Sequence, residues 1–274
     1  MSGPNEDRFP ASLVLAGAGK MGGAMLQAWL DRDFDPRRIC VIDPQPAQNI
    51  VRLAAEKGFA LNAPAQPPQV LVLAIKPQML DEATTLASLA GPQTLAISIL
   101  AGKTIANIAG RLPRAGAIIR AMPNLPAAVG RGMAGLVANE AVTLAQRAMA
   151  ETLFAATGRF EWLADERLID AVTAISGSGP AYVFYLTECL AEAGAALGLP
   201  ADVAARLARA TVEGTGELLF KSGDNAPSEL RESVTSRGGT TAAALEVLMA
   251  RDGLAPLIER AAQAARRRAE ALSG

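Results

Sequence analysis

The chain changes rhythm part-way along. In its first half, short apolar runs alternate with segments whose apolar positions recur every three or four residues. The runs cover 12–17, 38–43, 70–75, 94–99, 117–120 and 133–139, and each reads as a strand. Val70-Leu71-Val72-Leu73-Ala74-Ile75 is apolar throughout, as a strand covered on both faces must be. Between them, 21–31, 46–57, 79–90 and 105–111 carry helical spacing. This alternation predicts an α/β domain with a doubly wound, mostly parallel sheet. The stretch 64–68 is proline-rich and reads as a loop, and 1–10 reads as a polar lead-in.

After about Trp162 no strand pattern returns. Segments 169–175, 181–197, 201–222, 227–234, 242–250 and 254–272 have helical spacing, broken by clusters of Gly, Ser and Pro. The pattern predicts a Rossmann-type domain over 1–163 followed by an all-helical domain over 164–274. No internal repeat is visible. Arg266-Arg267-Arg268 reads as a solvated basic end to the last helix, favourable to its dipole.

Composition narrows the picture. The 274 residues, half of them hydrophobic, are enough for two cores. Net charge is −1, which is no footprint for nucleic acid. No apolar run is long enough to span a bilayer and no secretory leader pattern is visible, so neither membrane nor nucleic acid is expected as a partner. Cys40 and Cys189 lie far apart in apolar stretches and read as reduced thiols, favouring a cytoplasmic location. There is no histidine, which excludes a histidine base or ligand and argues against a transition-metal site.

The first run leads into Gly17-Ala18-Gly19-Lys20-Met21-Gly22, and a helical segment follows. Strand, GxGxxG turn and helix form the context of a dinucleotide-binding loop. Gly17 permits the tight turn, Gly19 lets a pyrophosphate approach the backbone, and Gly22 lets helix and strand pack together. Lys20 and Met21 sit at the junction with the helix and join the expected cofactor contacts. The alternative is a glycine-rich turn that binds nothing.

In open parallel sheets ligands bind beyond the carboxyl ends of strands, which selects a short list. Asp43 closes the second run, about twenty residues past the glycines, where a carboxylate hydrogen-bonds a ribose 2′-hydroxyl and repels a 2′-phosphate. Taken alone it leans towards NADH over NADPH. Equally, it reads as an aspartate opening a turn before Pro44, and Arg38 or Arg52 remains within reach of a 2′-phosphate. Lys76 and Pro77 follow the most apolar run, and Ala101-Gly102 follow the run that includes Ser98. In Met122-Pro123-Asn124-Leu125-Pro126, two prolines stiffen the backbone around Asn124, either as a cofactor wall or as an interdomain connection.

Two small-residue clusters mark the second half. Ser176-Gly177-Ser178-Gly179-Pro180 interrupts a helical stretch, for close backbone approach or as a helix–helix turn capped by Ser178. Ser236-Arg237-Gly238-Gly239-Thr240-Thr241 precedes another helix. It reads either as a cradle of N–H groups suited to a small carboxylate or as a turn with an N-cap threonine.

Taken in order, GAGKMG (17–22), LVLAIKPQ (71–78), SILAG (98–102), IRAMPNLPA (119–127), DAVTAISGSGPAYVF (170–184) and SRGGTT (236–241) resemble the Δ1-pyrroline-5-carboxylate reductase family over nearly the whole chain. The resemblance implies NADPH- or NADH-dependent reduction of the cyclic imine 1-pyrroline-5-carboxylate to L-proline. It also implies a helical domain that forms a homodimer, with rings of dimers in some members. By position, Gly17, Gly19 and Gly22 hold the pyrophosphate, and Lys76, Ala101, Gly102 and Asn124 line the cofactor side. The backbone of Ser236, Gly239 and Thr240 binds the substrate carboxylate, Ser178 lies on the substrate side, and Thr241 places its hydroxyl at the ring nitrogen as the catalytic contact. Three positions depart from the pattern: Arg237 replaces a common proline, Ser233 a frequent asparagine, and Asp43 is unusual beside NADPH.

Two other readings compete. A β-hydroxyacid dehydrogenase or general imine reductase shares this domain order, but the hydroxyacid enzymes use a lysine in the helical domain, and here only Lys221 lies beyond residue 103. A non-catalytic dinucleotide-sensing dimer would keep the glycine loop and lose the cradle, whereas Gly238, Gly239 and Thr241 are present.

Overall fold

The computed structural model describes residues 9–63, 67–80 and 84–273. Residues 1–8 of the lead-in expected over 1–10, 64–66 of the 64–68 loop and 81–83 of the helix expected over 79–90 lie outside the described residues.

The strands are β1 (Leu13–Ala16), β2 (Ile39–Ile42), β3 (Ala60–Leu61), β4 (Val70–Leu73), β5 (Leu95–Ser98), β6 (Ala117–Met122), β7 (Gly132–Ala138) and β8 (Gly158–Trp162). They form one eight-stranded sheet in the order β3-β2-β1-β4-β5-β6-β7-β8. All neighbours are parallel except β6 and β7. The helices of this region are α1 (Lys20–Leu30), α2 (Gln48–Lys57), α3 (Thr84–Leu89), α4 (Ile105–Arg111) and α5 (Leu144–Ala155).

Successive residues of a strand point to opposite faces, so continuously apolar strands need cover on both. Leu13, Leu15, Val70 and Val72 pack with Met25 and Trp29 of α1 and Phe154 of α5. Val14, Ala16, Leu71 and Leu73 pack on the other side with Leu86 of α3 and Ile108 of α4. The buried Trp29 indole N–H donates to the Leu153 carbonyl at 2.9 Å, pinning α1 to α5. This is the doubly wound sheet that the alternating pattern predicts.

Three elements escape that pattern. β3 has two residues, too few to show a period. α5 carries a legible start signal, a capping box in which Thr143 and Gln146 satisfy each other's backbone N–H groups. β8 alternates, with Arg159 and Glu161 exposed between half-buried neighbours, as suits an edge strand. The proline-flanked Asn124 segment is not an interdomain connection. It joins β6 to β7 through a 3-10 turn, Leu125–Val129, closed by Gly130 at φ 67°.

The rest of the chain is helical: α6 (Leu168–Val172), α7 (Gly179–Ala196), α8 (Ala201–Lys221), α9 (Pro227–Ser233), α10 (Thr240–Leu248) and α11 (Leu254–Ser273). The Gly/Ser cluster between α6 and α7 is not the helix–helix turn that its composition suggests. Thr173–Gly177 form a π-helical turn, and the Ser178 backbone N–H donates to the Thr173 carbonyl at 2.8 Å. The chain stays helical through it, with one residue added to the turn.

Two compact units result, one of residues 1–178 with 265–274 and one of 179–264. α6 goes with the sheet because Ile169 is buried against Met122 and Val137. Within the helical unit, α7 and α8 form a hairpin. Gly198, at φ 97°, ends α7, with Leu199 donating to the Gly194 carbonyl and Gly198 to that of Ala195. Gly194 lies against Ala204, where an added Cβ would stand 3.1 Å from the alanine methyl. No residue of α7 is buried, and Phe184 and Tyr185 are 58% and 67% exposed.

Candidate active site

The expected site residues fall into two groups. The first gathers at the carboxyl end of the sheet. β1 pairs with β2 on one side and β4 on the other, so its end is the point where strand order reverses. Gly17 takes φ 94° there, donates to the Ile42 carbonyl at 2.8 Å, and passes so close to the next strand end that a Cβ would stand 2.6 Å from the Ala74 oxygen. A Cβ on Gly22 would overlap the Gly17 carbonyl oxygen. Gly19 differs from both: it is the N-cap of α1, no side chain caps that helix end, and nothing lies within 4 Å of where its Cβ would be. Two glycines are thus required by the fold, and the third opens space over uncapped helix N–H groups. That space fits a pyrophosphate. Lys20 is exposed beside it, whereas Met21 packs against the core.

Asp43 opens the turn that its sequence position allowed, and it also braces the glycine loop. Its Oδ1 accepts the Gln45 N–H at 3.0 Å, so it does open a turn. Its Oδ2 accepts the Ala18 N–H at 3.0 Å, which ties the carboxylate to the glycine loop. Asn62, at φ 56°, clamps the same residue, accepting from the Asp43 N–H at 2.8 Å and donating to its carbonyl at 2.9 Å. Arg38 precedes β2 while Asp43 follows it, so at about 3.3 Å per residue they are roughly 16 Å apart. Arg38 is therefore at the wrong end of the strand for a 2′-phosphate beside Asp43.

Lys76 is exposed just past β4, and its carbonyl accepts the Met79 N–H at 2.8 Å to open the short turn Pro77–Leu80. Ala101 is exposed, but Gly102 is buried. At φ 70°, a Cβ on Gly102 would stand 2.6 Å from the Leu272 carbonyl oxygen, so close passage of α11 already accounts for that glycine. Asn124 is mostly buried and its amide is engaged. Nδ2 donates to the Ser176 Oγ at 3.0 Å and its carbonyl at 3.2 Å, and Oδ1 accepts the Met133 N–H at 2.8 Å. The side chain clasps the π-helical turn to β7.

A buried ion cluster nearby has no single-residue signal in the sequence. Arg120 on β6 is 3% exposed, with Nη1 3.0 Å from Glu166 Oε1 and Nη2 3.7 Å from Asp170 Oδ1. Glu166 also accepts the Ile105 N–H at 2.7 Å, at the start of α4. Only the fold brings 105, 120, 166 and 170 together.

The second group lies in the helical unit. Gly238 takes φ 72°, and Gly239 is the N-cap of α10, with no side-chain cap. The cap is therefore Gly239 rather than a threonine, and the Gly239 N–H closes the turn onto the Ser236 carbonyl at 3.0 Å. That donor is engaged inside the turn. The first-turn N–H groups of Thr240 and Thr241 remain. A Cβ on Gly239 would collide with the Ser236 hydroxyl. The Ser233 hydroxyl donates back to the Leu230 carbonyl at 2.7 Å. Ser178 ends the first unit and lies apart in the chain from this group.

Among the described residues no group of His, Cys, Asp and Glu could hold a metal ion, and no helix is long and apolar enough to cross a membrane. Burial pushes the Cys40 thiol pKa up, and neither cysteine is in a disulfide.

Comparison with known proteins agrees with this arrangement. Residues 166–272 match the family model described as pyrroline-5-carboxylate reductase dimerisation. Residues 12–102 match that described as NADP oxidoreductase, coenzyme F420-dependent. A pyrroline-5-carboxylate reductase of Synechocystis sp. is 42% identical over 270 residues, covering 95% of this chain and 97% of its own. The structure of a pyrroline-5-carboxylate reductase from Coxiella burnetii superposes with a TM-score of 0.88 at 33% identity, covering 97% of this chain and 99% of that one. A Plasmodium falciparum pyrroline carboxylate reductase solved with NADP bound shares the fold, with a TM-score of 0.75 at 24% identity over 96% and 98% of the two chains. The chain belongs to the pyrroline-5-carboxylate reductase family, NAD(P)H-dependent oxidoreductases with a Rossmann-type sheet and a helical dimerisation unit.

Proposed function

We propose that this chain reduces 1-pyrroline-5-carboxylate to L-proline, with the start of α10 as its substrate cradle and Thr241 as the contact to the ring nitrogen. The observation that carries the reading is the uncapped α10 N-terminus, set up by Gly238 in the left-handed region. The N–H groups of Thr240 and Thr241 and the positive end of the helix suit a carboxylate there.

The dinucleotide, when bound, supplies the hydride. The glycine loop and the N–H groups at the start of α1 hold its pyrophosphate. The substrate arrives with its imine nitrogen protonated. Hydride adds to the ring carbon of the C=N bond, whose π pair moves to nitrogen, so one hydride and one proton complete proline. The Thr241 hydroxyl accepts from that N–H and orients the ring. No histidine is needed because the proton is on the substrate before reduction. The exposed apolar face of α7 is covered by a second copy in the homodimer, and rings of dimers are a further expectation. The unpaired cysteines support a cytoplasmic setting.

Thr241→Ala is expected to lower kcat/KM about tenfold or more, the worth of one hydrogen bond to a charged group. Thr241→Ser keeps the hydroxyl and most of the activity. Full activity in Thr241→Ala would rule the role out.

A further inference from the structure

We propose that Asp43 makes this reductase selective for NADH over NADPH. The proposal rests on the dinucleotide reading of the glycine loop and on nothing about the imine. The carboxylate is fixed from several sides: Oδ2 takes the Ala18 N–H, Oδ1 takes the Gln45 N–H, and Asn62 holds the backbone on both its N–H and its carbonyl. It cannot swing away to admit another anion without breaking the brace on the glycine loop itself. A carboxylate has roughly four acceptor sites, so each oxygen keeps one for a ribose hydroxyl. The adenosine ribose of a dinucleotide on this loop comes to the end of β2. NADH meets a ready pair of acceptors there. NADPH brings a phosphate of about two negative charges against an immobile carboxylate.

The neighbouring loop supplies no cation or hydroxyl to offset that repulsion. Residues 44–51 contain no Lys, Arg, Ser or Thr, which leaves only the partial positive charge of the uncapped α2 start at Gln48 against the full charge of the braced carboxylate. Arg38 is at the far end of β2, 3.9 Å from Asp35. Arg52, exposed one turn inside α2, is the first cation along that helix. The brace and the bare loop point the same way: the ribose 2′ position is built for a hydroxyl.

The test is equilibrium binding to the full chain, read by nucleotide fluorescence, of NADH against NADPH. Displacement by 5′-AMP against adenosine 2′,5′-bisphosphate isolates the adenosine end. NADH is expected to bind about ten- to hundredfold more tightly, inside the roughly five- to thousandfold span that one charge contact at 4 Å covers between water and the protein surface. The ratio shrinks as salt rises. Asp43→Asn keeps the shape and one acceptor but removes the charge, and should bring the ratio towards unity. Arg52→Ala should leave it unchanged. Equal or tighter NADPH binding by the unaltered protein overturns the proposal. So does an Asp43→Asn protein that weakens both nucleotides alike, which would leave Asp43 as a brace only. Should that variant fail to fold, the unaltered protein and its salt dependence still decide. Binding of neither nucleotide overturns the dinucleotide reading, a distinct failure from a wrong preference.

Discussion

The two units bury their apolar side chains by opposite means. The sheet unit closes on itself: β1 and β4 are buried along their whole length, and even Trp29 has its indole N–H paired inside. The helical unit leaves α7, α9 and α10 without one buried residue, and Ala204 and Ala208 are the buried positions of α8. An exposed apolar face of that extent is a surface awaiting a partner. The difference teaches where stability comes from in each case. One unit is stabilised by its own core; the other matches a dimerisation model and is expected to draw stability from a second copy, which would tie its folding to protein concentration.

Replacing Arg120 with Met should strike the sheet unit hardest. It leaves Glu166 and Asp170 without their buried counter-charge, at a cost of about 3–5 kcal/mol. Chemical denaturation should show the loss as a lower midpoint with an unchanged slope, and the dimer mass should persist. A smaller effect, and the opposite pattern, is expected for Phe184→Arg on α7. Association should weaken about thirtyfold or more, at a cost of about 2 kcal/mol. Sedimentation should show monomers, with the helical signal fading on dilution while the sheet unit holds. If Phe184→Arg leaves mass and stability unchanged, α7 is not the covered face. Asn124→Ala should have the smallest effect, about 1–2 kcal/mol, because it orphans the Met133 N–H and removes the clasp on Ser176. Hydrogen exchange should rise first at the π-helical turn.

The same contrast governs what could be read from the sequence. Six strands and most helices announce themselves by periodicity, because each has one environment along its length. β3 is too short for a period, and α5 goes unread although the sequence carries its Thr143–Gln146 capping pair. The π-helical turn at Thr173–Gly177 defeats composition, since Ser and Gly there look like a break while the backbone stays hydrogen-bonded. Within the candidate site, the fold roles of Gly17 and Gly22 could be assigned in advance because each follows from the closeness of neighbouring backbone. The working partners of Asp43 and Asn124 could not. Ala18, Asn62 and Ser176 lie 25, 19 and 52 residues from them, and only the folded sheet brings them within bonding distance. Gly239 shows the limit from the other side, since its residue type was readable but the spending of its N–H inside the turn was not.

The most direct test of the account is steady-state reduction of 1-pyrroline-5-carboxylate, followed by nicotinamide absorbance with NADH and with NADPH and confirmed by proline in the product. The account predicts turnover, with NADH the better donor. A protein that binds the dinucleotide yet consumes none with this imine would contradict it.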